Sequence, residues 1–148
     1  MTPFNQGWYL ATLAVAMRVH RGHQGTRNGP HWSFLQRCAQ TLVRQFPDAT
    51  RAQVQAVLLH EVLADALIPA NQLRGHGIDD DTRRILHAIT PPDRTQPFKH
   101  VQTVTDSEDV DAMRVMLAVN LTWMVEHGGI RYELACQLLS RRLMKDHA

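Results

Sequence analysis

The sequence predicts an all-α domain, and three observations carry that prediction. Apolar residues recur at spacings of three and four along most of the chain. In "HWSFLQRCAQTLVRQF" (31–46), for example, Phe34, Leu35, Cys38, Leu42 and Phe46 follow helical spacing. No run of useful length alternates apolar and polar residues as a half-buried strand does. Breakers such as Pro47, Pro69, Gly128 and Gly129 stand between the apolar runs. With 148 residues, 44% of them hydrophobic, the chain suits one helical domain over 1–148. The expected architecture is a bundle of about six helices joined by short loops.

The elements follow in order. "WYLATLAVAMRVH" (8–20) is rich in helix formers and apolar on nearly every side, which predicts a buried helix. "GHQGTRNGP" (22–30) is a breaker-rich loop. The segment 31–46 is the second helix, stopped by Pro47. Thr50 is placed to cap "RAQVQAVLLHEVLADAL" (51–67), where Val54, Val57, Leu58 and Glu61 share a face. "GIDDDTRRILHAIT" (77–90) opens on acids and carries bases further in, matching a helix dipole. "PPDRTQP" (91–97) reads as a loop. "SEDVDAMRVMLAVNLTWMVEH" (107–127) reads as a helix capped by Ser107 and stopped by Gly128 and Gly129. "RYELACQLLSRRLMKD" (131–146) is an amphipathic final helix.

Composition excludes several classes of function. A formal net charge of +2 gives no electrostatic reason to expect nucleic acid. The apolar part of the N-terminal segment, Trp8 to Val19, is too short to cross a membrane. It lacks a basic n-region and a small-residue cleavage site, so a signal peptide is not expected either. Cys38 and Cys136 lack zinc-site spacing and read as buried thiols of a cytoplasmic protein.

One stretch stands apart from this core-forming pattern. "VLLHEVLAD" (57–65) sets His60 and Glu61 side by side in an apolar run, with Asp65 four residues on. Buried ionisable groups are paired, hydrogen-bonded or bound to metal. Adjacent helical residues diverge by about 100°, so the dipeptide alone is equally the polar edge of an ordinary helix.

The wider order of motifs gives that stretch a context. "VHRGHQGTRNGPHW", "AVLLHEVLADA", "LRGHGIDDDTRRILHAIT" and "MRVMLAVNLTWM" follow one another. Over roughly residues 10 to 125 this order resembles the HD-domain metal phosphohydrolases. Within them it is most similar to the RelA/SpoT-type alarmone hydrolases and their small stand-alone relatives. That family shows "AHxGQ…R…G…PYxxH", then "ALLHDxxED", then "FG…V…L…T", then "VKLADRxxN". The resemblance implies an HD-type helical bundle and a manganese-type divalent ion in a working member. Arg27 fits the basic loop residue that faces substrate in the family, and His20 fits the histidine of "AHxGQ". Read by charge, His20, Arg21 and Arg27 can form a cationic rim that binds the phosphates of a substrate. Pro30 fits the proline of "PYxxH", His31 stands at its tyrosine and Phe34 at its ligand histidine. His60 fits the histidine of the "HD" pair, and Glu61 replaces its aspartate. Asp65 fits the last acid of "HDxxED", while Ala64 replaces the glutamate that serves the hydrolytic water. Val119 stands at the ligand aspartate of "VKLADRxxN", Met116 at its lysine, and Trp123 near its asparagine.

The resemblance thus implies a dismantled site. Of four expected ligands, Phe34 and Val119 supply no donor and Glu61 is altered, so only His60 matches. A hard divalent ion needs several oxygen or nitrogen donors and carboxylates to balance its charge. On that basis His60 and Glu61 are a vestigial metal pair, Asp65 is a vestigial catalytic acid, and no cofactor is expected. Three functional readings remain open. The first is a non-catalytic homologue that binds a guanine nucleotide or regulates. The second is an active nucleotide pyrophosphohydrolase with shifted ligands His31, His60 and Glu61. The third is an inhibitor or subunit that uses the HD scaffold to bind a protein.

Overall fold

The computed structural model describes residues 3–19, 31–64, 70–93 and 95–145. Among these, seven α-helices run in the order α1 (Gly7–Val19), α2 (His31–Gln45), α3 (Arg51–Ala64), α4 (Asp80–Ile89), α5 (Pro97–Ser107), α6 (Val110–His127) and α7 (Ile130–Lys145). Two 3-10 segments, Pro3–Asn5 and Ala70–His76, complete the described elements, and no strand occurs among the described residues. The expected all-α bundle is therefore observed.

Two helices organise the rest. α3 packs against α1, α2, α4 and α6, and α6 packs against α2, α3, α4, α5 and α7. Their sequences explain this central position. In α3, Val54, Ala56, Val57, Leu58 and Leu59 are all buried, so apolar side chains leave the helix in several directions at once. In α6, Ala112, Met113, Val115, Leu117 and Ala118 do the same. By contrast, α4 is strongly one-sided, burying Thr82, Ile85, Leu86 and Ile89 beneath an acidic and basic outer face.

The helix ends are specified locally. Thr50 caps α3 through a reciprocal pair. The Gln53 amide donates to Thr50 Oγ1 at 3.2 Å, and the Thr50 amide donates to Gln53 Oε1 at 3.3 Å. Asp79 caps α4 by accepting from the Thr82 amide at 2.9 Å. At the end of α6, Gly128 takes φ 70°, which a β-carbon would disfavour, and its amide donates to the Met124 carbonyl at 2.9 Å.

The segment after Pro97 differs from expectation. The expected loop of 91–97 gives way to α5, a helix not predicted from the sequence. Pro97 sits at the start of this helix, and Val101, Val104 and Thr105 form a short buried stripe at spacings of three and four. Ser107 is consequently the last residue of α5 and not the cap of α6. Its hydroxyl donates to the Val104 carbonyl at 2.7 Å. Asp109 caps α6, accepting from the Ala112 amide at 3.1 Å.

Polar side chains inside the bundle are bonded across helices. Gln55 of α3 donates to Thr12 Oγ1 of α1 at 2.9 Å and accepts from Thr82 Oγ1 of α4 at 3.0 Å. Thr12 passes its own proton to the Trp8 carbonyl at 2.7 Å. Three buried polar residues thereby join three helices, and a wrong rotation of any one would orphan the others. A second tie links α2 to α6. Arg37 donates to Glu126 through two nitrogens, at 2.6 and 2.9 Å, and Thr122 donates to Thr41 at 3.0 Å.

Candidate functional site

The last described turn of α3 carries His60 and Glu61 to an open cleft of about 130 Å³. The facing wall comes from α6, whose Val115, Met116, Val119 and Asn120 fall on one side of the helix. Ile89, at the end of α4, and Pro91, just beyond it, close a third side. Among the described residues the lining is mainly apolar, with polar side chains at His60, Glu61 and Asn120.

The imidazole of His60 is held in a defined state. Its Nδ1 lies 2.7 Å from the Val57 carbonyl oxygen, one turn back on α3. A carbonyl only accepts, so Nδ1 carries the proton and, in the neutral ring, Nε2 keeps its lone pair. That nitrogen is 3.5 Å from Glu61 Oε1. Both side chains are largely covered, with 12% and 22% of their surface exposed. On the facing helix the Asn120 amide donates to the Met116 carbonyl at 2.8 Å, which fixes the direction of the Asn120 side chain.

On α2, Cys38 is fully buried. Burial pushes its thiol well above the ordinary range, a hydrogen bond with Thr122 opposes this, and the Glu61 and Glu126 carboxylates add to it. A thiol held protonated in this way is not a metal ligand at neutral pH.

The residues singled out in the sequence are distributed unevenly. Val119 lines the same cleft as His60 and Glu61. Phe34 does not line it. Its fully buried ring packs against Trp123, with centroids 4.3 Å apart, one helical turn further along α6 than Val119. Trp123 continues into an aromatic cluster, 4.7 Å from the His127 ring and stacked 5.9 Å from Tyr132. The position expected to hold a ligand histidine is therefore part of a packed aromatic core. His31 is the first residue of α2 and Ala64 the last of α3, and their side chains lie outside the described set. His20, Arg21, Arg27 and Asp65 also lie outside the described residues. Ile89, Pro91, Met116 and Asn120 were not anticipated as wall residues. The sequence signal for Met116 was its place three residues before Val119, on the same helical face.

Larger clefts also occur among the described residues, and one of about 200 Å³ holds Asp93, Lys99 and His100, whose Nε2 is engaged with the Ala88 carbonyl at 3.0 Å. One of about 430 Å³ between α5 and α7 contains Asp106 and Glu108 facing Arg141, Arg142 and Lys145, and the Arg142–Glu108 ion pair at 2.6 Å spans it. Another, of about 360 Å³ between α2 and α6, holds the Arg37–Glu126 pair. One ion pair bridges each of the latter two clefts, and neither is lined by a histidine.

The chemistry available at the His60 cleft follows from its donors. An imidazole nitrogen and a nearby carboxylate can exchange protons or bind one ion, but the α6 wall adds no oxygen from Val115, Met116 or Val119. Among the described residues no group of three or more His, Cys, Asp or Glu side chains is placed to hold a metal. Among the same residues no helix is long and apolar enough to cross a membrane. No protein-family model, curated protein or solved structure matches the chain.

Proposed function

We propose that this chain is a non-catalytic HD-type domain, similar to the alarmone hydrolases, that has exchanged metal binding for apolar packing and serves a regulatory, guanine-nucleotide-binding role. The observation that supports this most is the composition of the cleft. His60 and Glu61 are brought to one small space, as a metal pair would be, yet Val115, Met116, Val119 and Asn120 on α6 supply no carboxylate, which a hard cation needs. An apolar wall also has a physical advantage once the ion is lost, because carboxylates left without it would repel one another and raise each other's proton affinity.

The test combines ligand binding with turnover. Thermal unfolding with guanosine di-, tri- and tetraphosphates reads nucleotide binding, since a ligand that binds only the folded state raises Tm. A saturable rise without release of pyrophosphate in the presence of Mn(II) is the expected result. Pyrophosphate release that depends on Mn(II) and on His60 would replace this reading with that of an active hydrolase using shifted ligands. A Tm that responds to none of the nucleotides would move the role to a protein partner.

A further inference from the structure

α5 is weakly specified at both ends, and it connects two walls of the His60 cleft. It follows Ile89 and Pro91, which close the third side, and it leads directly into α6, the facing wall. We propose that α5 is a regulatory strap. It detaches by local unfolding while the rest of the bundle stays folded, and its release loosens the Ile89 side of the cleft. The inference uses the packing of α5 alone, so it stands or falls separately from the resemblance and from nucleotide binding.

Three features carry it. The ends of α5 are poorly secured. Gln96 makes no side-chain cap at the first end, and at the other Glu108 takes φ 61° and ψ 21°, the left-handed region that favours glycine. Strain of this kind persists only where neighbours hold it. The neighbour here is Arg142 of α7, which donates to the Glu108 carboxylate at 2.6 Å. The body of α5 is bonded mainly to itself. The hydroxyls of Thr103, Thr105 and Ser107 turn back onto the Lys99, Gln102 and Val104 carbonyls of the same helix. Burial of Val101, Val104 and Thr105 holds it to the bundle, and an eleven-residue helix released from such contacts is marginal in water. Lastly, α5 is joined to the cleft wall. His100 Nε2 donates to the Ala88 carbonyl at 3.0 Å, in the last turn of α4. Beside it the Thr90 amide donates to the Leu86 carbonyl at 3.1 Å and ends the helix that carries Ile89 into the cleft. Release of α5 therefore removes a tie from the end of α4, and fraying there moves a wall residue.

The experiment is native-state amide hydrogen exchange of the full chain, followed by NMR at several urea concentrations below the unfolding transition. The expected result is that the amides of residues 101–107 and of Thr90 exchange on the order of a hundredfold faster than those of 57–59 in α3, with little dependence on urea. Two variants separate local from global opening. Thr50→Ala weakens the cap of α3, so it should speed exchange of 57–59 about fivefold and leave 101–107 and Thr90 unchanged. Glu108→Gln removes the charge on the exposed latch and should speed 101–107 and Thr90 together, by about two- to fivefold. Two outcomes overturn the proposal. One is exchange of 101–107 at the rate and urea dependence of α3, accelerated like it by Thr50→Ala. The other is a Thr90 amide that does not follow 101–107 in Glu108→Gln, which would confine the opening to α5 and leave the cleft untouched.

Discussion

Replacing Gln55 by leucine should cost this fold more than the loss of a single hydrogen bond. Gln55 both donates to Thr12 and accepts from Thr82 inside the bundle. After the change Thr12 still donates to the Trp8 carbonyl, so its proton stays satisfied. Thr82 is different, because the residue is 0% exposed and its hydroxyl loses the acceptor it uses. A buried donor left unpaired costs about 1–3 kcal/mol, and the lost bond to Thr12 adds about 1 kcal/mol. Leucine returns about 1 kcal/mol of this through apolar burial, leaving a net loss of about 1–3 kcal/mol. For a chain of this length that is a fall in Tm of about 3–10 °C. Urea unfolding at 25 °C gives the free energy. The double variant Gln55→Leu/Thr82→Val removes both partners and should recover at least about 1 kcal/mol of the loss, since an apolar pair of similar shape leaves nothing orphaned. A single variant as stable as wild type, or a double variant whose losses simply add, would show that the three helices are not joined in this way.

Other consequences are simpler to check. Thr50→Ala removes one half of the reciprocal cap on α3 and should lower stability by about 1 kcal/mol in the same urea assay. Thr50→Ser should lie within about 0.5 kcal/mol of wild type, because serine keeps the oxygen. Burial pushes the Cys136 thiol up to about 11 and raises Cys38 as well, so the folded state favours the protonated forms. Stability from these groups is fully present below the unfolded thiol value and is lost as pH rises from about 9 towards 11. Folded protein at pH 8 should therefore react with iodoacetamide far more slowly than urea-unfolded protein, and equal rates would contradict the burial of the thiols.

Much of the fold was legible because each long helix announces itself in several ways at once. α3 shows the reason: Thr50 caps it, helix formers fill it, and apolar residues recur through it, so propensity, capping and periodicity agree. α5 was missed because these signals are weak there. Val101, Thr103, Val104 and Thr105 are β-branched residues of modest helix propensity, the buried stripe is brief, and packing against α7 and α6 decides the outcome. Ser107 was misread for a related reason. Serine and aspartate cap equally well, and the choice of Asp109 depends on where the unrecognised α5 ends.

The site was legible as a set of positions along the chain but not as a shape. The resemblance grouped His60, Glu61 and Val119, and these three residues line one cleft. The sequence could not supply the rotation of α2 against α6. That rotation turns Phe34 beneath Trp123 and keeps it out of the cleft wall, and it is set by the fit of aromatic rings and by the Arg37–Glu126 bond 89 residues apart. Ile89 and Pro91 reach the cleft only because α4 crosses beside α3 and α6, which local periodicity does not encode.

The proposed replacement of hard-metal chemistry by apolar packing at His60 and Glu61 is tested most directly by calorimetric titration of metal-free wild-type protein with Mn(II). The expected result is no saturable binding at one ion per chain up to about 1 mM, a standard free energy weaker than about −4 kcal/mol. Stoichiometric binding at micromolar concentration that disappears in His60→Gln would contradict it and show that a working divalent site remains.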